Sequence, residues 1–121
     1  MIKKIIKSKY FIIAFGAIIG SLIRWKLDHI FWINIAGCFL LGFVNKLKIE
    51  KNLKLLFGFS LAGSLTTFSS WLLDLFLYLE KNLYIAFFRE VIIFIVFGFI
   101  SVTIGSYLGS LIILKSHIKN N

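Results

Sequence analysis

LKLLFGFSLAGSLTTFSSWLLDLFLYL, residues 53–79, is an apolar segment that gathers its polar groups at its centre. Within it, GSLTTFSSW (63–71) draws six of nine residues from Gly, Ser and Thr. Ser60, Ser64, Thr66, Thr67, Ser69 and Ser70 crowd eleven residues, with Gly63 among them and Gly58 just before. A single Ser or Thr in a membrane helix bonds back to its own backbone and means little. A cluster predicts a helix distortion whose freed carbonyls could bind a cation. Exposed carbonyls at that depth are tolerated only in a protein-lined site. Phe68 and Trp71 are three residues apart, which puts them on one helix face. Their ring edges are electropositive and can weakly stabilise a small anion where water is scarce.

The composition around this segment sets the class. The chain has 121 residues, 60% of them hydrophobic and 16% charged, and a mean hydropathy of +0.94. A soluble domain this small could not hide so much apolar surface. One domain, residues 1–121, of a polytopic membrane protein is the natural class. Four apolar segments give spans at about 10–27, 30–47, 53–79 and 88–114. The basic N-terminus followed by apolar residues resembles a signal peptide. With no clean small-x-small cleavage site, and Arg24 and Lys26 following, it reads as a retained first span. There is no proline, so any helix break comes from glycine, Ser/Thr or tertiary contacts.

Net charge is +9. In a soluble protein that would suggest nucleic acid, but most lysines here flank apolar segments, where they set topology and meet anionic headgroups. Ten cations (Lys3, Lys4, Lys7, Lys9, Lys46, Lys48, Lys51, Lys54, Lys115 and Lys119) fall on the side of the termini. Four, Arg24, Lys26, Lys81 and Arg89, fall on the other. This bias favours cytoplasmic termini.

Enzyme chemistry has little support. No HExxH, GxSxG or phosphate-binding glycine loop is present. Cys38 is a lone cysteine, read as a small buried hydrophobe. His29 and His117 have no partner at ligand spacing and read as interfacial polar residues. Asp74 is the acidic residue well inside an apolar run, either a functional intramembrane carboxylate or a helix-end acid paired with a cation. Asn34 in FWINIAGCFLLG must find a partner or line a wet cavity. It serves either an interhelical hydrogen bond or an anion, through its two N–H donors. Small residues at helical spacing, Gly16 and Gly20, then Ser101, Gly105 and Gly109, suit close helix approach within the bundle or between copies.

Together these residues resemble the Fluc (CrcB) family of fluoride channels. GAIIGSLIR (16–24), NIAGCFLLG (34–42) and GSLTTFSS (63–70) carry the resemblance, which extends over roughly Gly16 to Gly109. It implies an all-α membrane protein of four transmembrane helices, the third broken near its middle, in an antiparallel dual-topology dimer with two pores. By resemblance, Asn34, Thr67, Phe68, Ser69 and Trp71 line the fluoride path. The carbonyls of Gly63 and Thr66 would hold a structural sodium ion at the dimer centre. Arg24 belongs to an anion-attracting vestibule or a helix-end anchor. Ser101, Thr103, Ser106 and Ser110 are candidates for a polar track in the fourth span.

The implied task is passive export of cytoplasmic fluoride across the bacterial plasma membrane. Fluoride is small and strongly hydrated, so it needs donors that replace water without a charge that traps it. A central cation helps offset the cost of an anion in a low-dielectric bilayer. The chain departs from the family pattern at Ser64, Ser70 and Trp71, where glycine, threonine and phenylalanine are usual. The charge bias favours one fixed orientation, and the partner is either a second copy of this chain or an oppositely oriented paralogue. The alternative is a small dual-topology proton-coupled multidrug transporter, which needs a carboxylate that YFIIAFGAIIGSLI lacks. A holin-like protein is a third reading. It would not need Asn34, Thr67 and Phe68 together.

Overall fold

The structure is a computed structural model that describes residues 8–27, 29–66 and 69–119, with side chains for all of these except 69, 70 and 116–119. It is built from helices, and no strand occurs among the described residues. In chain order they are α1 (Lys9–Lys26), α2 (Ile30–Lys46), α3 (Lys51–Leu53), a π-helical run (Lys54–Ala62), α4 (Gly63–Leu65), α5 (Ser69–Glu80) and α6 (Tyr84–Lys119). These helices cover the four apolar segments.

α1 packs along the π-helical run, and α2 packs most extensively along α6. Small residues make both approaches possible. A β-carbon at Gly16 would come within 2.7 Å of Ser60 Oγ, and one at Gly20 would strike Ser64 Oγ. Ser60 Oγ donates to the Ile13 carbonyl across the same seam. On the other seam, β-carbons at Gly42 and Gly105 would strike the carbonyls of Val102 and Phe39. Both small-residue ridges are therefore used for packing within the chain.

Two helix ends have a local cause. α1 ends at cations, Arg24 and Lys26, which suit the negative end of the helix dipole. α5 ends in a Schellman motif. The amide of Leu83 donates to the Tyr78 carbonyl at 2.9 Å and that of Asn82 to Leu79 at 3.0 Å, with Asn82 at φ 56°. Asparagine tolerates this left-handed conformation without glycine. The motif starts α6 at Tyr84, earlier than the expected 88.

The third segment is interrupted at Thr66, whose φ of −87° and ψ of 69° leave the helical region. Gly63, Ser64 and Leu65 are still helical, so the break lies at the C-terminal end of the stretch expected to hold it.

Little of this apolar chain is inside the molecule. The buried hydrophobic residues among those described are Ile33, Val44, Ala62, Leu65, Trp71 and Leu75. Trp25 is 83% exposed and Ile85 88%, and the outer faces of α1, α5 and α6 are largely apolar. Exposed apolar surface on this scale calls for a non-aqueous neighbour. α6 is long and apolar enough to cross a membrane: Tyr84–Lys115 has a mean hydropathy of 2.4 in its best window, of which 11% is buried.

Candidate functional site

Asn34 is buried on α2, one turn before the point where that helix meets the break. Asn34 is 4% exposed. Its Nδ2 donates to the Ile30 carbonyl of its own helix at 2.9 Å. Neither sequence alternative for this amide named that bond. An i to i−4 bond uses one N–H of the amide and leaves the helix ladder intact. One turn further, Gly37 faces the break: a β-carbon there would come 2.6 Å from Thr66 Cγ2 and 3.2 Å from the Ala62 carbonyl. Asn34 and Thr66 thus flank one short stretch of α2.

Thr66 closes the helical part of the segment by bonding back. Its amide and its Oγ1 each donate to the Ala62 carbonyl at 3.0 Å, and Oγ1 lies 3.4 Å from the Gly63 carbonyl. One hydroxyl shared between two carbonyls is how Thr in a membrane helix compensates an interrupted ladder. Among the described residues, no atom lies within 4 Å of where a β-carbon at Gly63 would stand, so this side of the turn is open to them. Backbone and hydroxyl oxygens of this kind suit a hard monovalent cation. No group of three or more His, Cys, Asp or Glu suited to a metal occurs among the described residues. A cation at this turn would therefore rely on carbonyls. Thr67 and Phe68 lie outside the described residues, as does the side chain of Ser69.

Trp71 opens α5 and is 8% exposed. Its ring stacks on Phe94 of α6, with centroids 4.2 Å apart and planes 19° apart. It also floors a cleft of about 290 Å³ that includes Phe31, Asp74, Tyr78, Lys81 and Glu90. Asp74 is exposed on the wall of this cleft and forms no ion pair among the described residues. The ion pair nearby is Arg89 with Glu90, 3.2 Å apart within α6.

The other expected residues lie apart. Arg24 is half-buried in the last turn of α1. Ser101 Oγ donates to the Ile35 carbonyl at 2.7 Å and Ser106 Oγ to the Gly42 carbonyl at 3.3 Å, both across to α2. Thr103 and Ser110 bond back to Phe99 and Ser106 of α6. Thr103 is exposed, whereas Ser101 is buried and Ser106 half-buried. Phe94 was not singled out from sequence, whereas Gly37 is marked by its Asn-x-x-Gly spacing from Asn34, which puts the two on one face. Phe94 is one of fourteen phenylalanines and carries no separate signal.

Comparison with known proteins bears on this arrangement. The family model described as CrcB-like protein, Camphor Resistance (CrcB), matches residues 11–106. A relative named Fluoride-specific ion channel FluC 1, from Prochlorococcus marinus (strain NATL2A), is 44% identical over 96 residues, 79% of this chain and 84% of its own. A protein of the same name from another Prochlorococcus marinus strain is 41% identical over 68 residues, 56% of this chain and 55% of its own. Fluoride-specific ion channel FluC 2 of Clostridium acetobutylicum is 31% identical over 116 residues, 85% of this chain and 96% of its own. No solved structure matches the chain.

Proposed function

The chain belongs to the CrcB family, a family of ion channels and not of enzymes, and from that premise we propose that it is a fluoride-selective passive channel of the bacterial plasma membrane. Its four apolar helical segments cross the bilayer, and it exports fluoride that has entered the cytoplasm. The observation that carries this reading is the buried Asn34 beside a helix break at Thr66, with Gly37 packed between them. An anion path through a bilayer needs neutral donors held in fixed positions. In this reading Asn34, Thr67, Phe68, Ser69 and Trp71 line the path, with amide and hydroxyl donors and ring edges replacing water.

The unit is an antiparallel dimer, and a sodium ion at its centre is held by the carbonyls of Gly63 and Thr66. The open side of Gly63 supports that fit, because oxygen ligands from a second copy need room to approach. The ion supplies a fixed positive charge that lowers the cost of a nearby anion. Arg24 draws anions toward the path or anchors the end of α1. Ser101, Thr103, Ser106 and Ser110 contribute a polar track along α6, with Ser101 and Ser106 also tying it to α2. The numbered names FluC 1 and FluC 2 among the relatives support pairing with an oppositely oriented paralogue as an alternative to a homodimer.

Liposomes holding the purified protein test the selectivity. Fluoride leaves and chloride is retained under the channel reading. Dye export driven by a proton gradient, with no fluoride flux, would replace it with the multidrug reading. α1 offers no carboxylate for that chemistry.

A further inference from the structure

We infer that Phe94 is a positioning residue for Trp71, holding the indole so that its edge, and not its face, meets the permeating anion. The inference rests on the pore reading above. Trp71 is the third residue of α5, which follows the break at Thr66. α6 constrains its ring. Phe94 covers one face of the indole at 4.2 Å and 19°. Phe94 is itself held edge to face against Phe31 of α2, at 6.3 Å and 69°. Phe31 in turn meets Phe97 at 5.9 Å and 65°.

Phe31 stands one helical turn before Asn34. The chain of rings therefore ties the orientation of Trp71 to the helix that carries the buried amide. Orientation matters because an aromatic ring repels an anion at its face and attracts it at its edge. An indole also carries its N–H in the ring plane, so rotation of the ring decides where that donor points. A stacked partner fixes this rotation without placing any charge near the ion.

The test uses the full chain in liposomes with Trp25→Phe and Trp32→Phe, which makes Trp71 the sole tryptophan of an original three. Both replaced residues are exposed. Phe94→Leu removes the stack, and Phe94→Tyr keeps it. Two readouts are taken, the fluoride efflux rate and the fluorescence anisotropy of Trp71.

In Phe94→Leu the anisotropy drops and efflux falls by roughly three- to tenfold, the scale of a lost ring pair. Phe94→Tyr keeps both readouts near the background values. Should Phe94→Leu fail to assemble, Phe94→Met is the second ring-free variant and carries the same expectation. Anisotropy unchanged in the ring-free variant overturns the inference, and so does a drop in anisotropy with efflux untouched. A background protein that conducts no fluoride rejects the channel reading instead, and its anisotropy response still decides whether Phe94 holds the ring.

Discussion

Gly37 of α2 lies so close to Thr66 that a β-carbon at position 37 would come within 2.6 Å of the threonine methyl. The Ala62 carbonyl and Leu65 Cβ would each be 3.2 Å away. The helix break therefore has a specific seat on α2, and glycine is what lets it settle there. Gly37→Ala should destabilise the protein by about 1–3 kcal/mol, the cost of overpacking a close contact. Thermal unfolding in detergent measures this. An unchanged midpoint would mean that the break does not depend on this seat.

Asn34 is buried and keeps its amide bonded to the Ile30 carbonyl. Asn34→Asp replaces a donor with an acceptor-only group that is negative when ionised. Fluoride efflux should fall at least about tenfold, since a like charge on an anion path costs more than a lost hydrogen bond. Phe68→Ile should also lower efflux, by removing the ring edge at that position. Wild-type rates in both variants would take these residues out of the path.

Ser101 is 7% exposed and donates across to α2, whereas Thr103 is exposed and bonds within α6. Ser101→Ala should cost about 0.5–1.5 kcal/mol, because it leaves the Ile35 carbonyl without that donor. Thr103→Ala should cost less than that. Equal losses of thermal stability in the two variants would contradict the assignment of Ser101 to the α2–α6 seam.

Ten cations against four predict a single orientation with cytoplasmic termini. Reporters fused to the C-terminus, one active inside the cell and one active outside, read this directly. Signal from the inner reporter alone is the expected result. An even split between the two reporters would remove the need for an oppositely oriented paralogue.

The positions of the helices were legible because apolar runs and flanking cations mark them. The break was legible as a cluster of hydroxyls but not in its register. Gly63 has the torsions of an ordinary helical residue, φ −61° and ψ −38°, and the chain departs only at Thr66. Glycine permits a break without requiring one. The π-helical run of Lys54–Ala62 had no sequence mark. Its widened turns depend on what the neighbouring helix offers, such as the Ile13 carbonyl that takes the Ser60 hydroxyl. The early start of α6 followed from Asn82, whose positive φ is set by the Schellman bonds around it. At the site, residue types pointed to Asn34 and Trp71. The partners that hold them, the Ile30 carbonyl and the ring of Phe94, emerge only when the helices are packed.

Passive, selective movement of fluoride is the central claim. It is tested most directly in liposomes loaded with potassium fluoride, with equal pH on both sides and a fluoride electrode outside. A channel moves charge, so efflux should stay blocked until a potassium carrier is added and then proceed at once. Liposomes loaded with potassium chloride should release nothing above the protein-free background. Efflux that needs a pH gradient, equal release of chloride, or no fluoride release after the carrier is added would contradict the account.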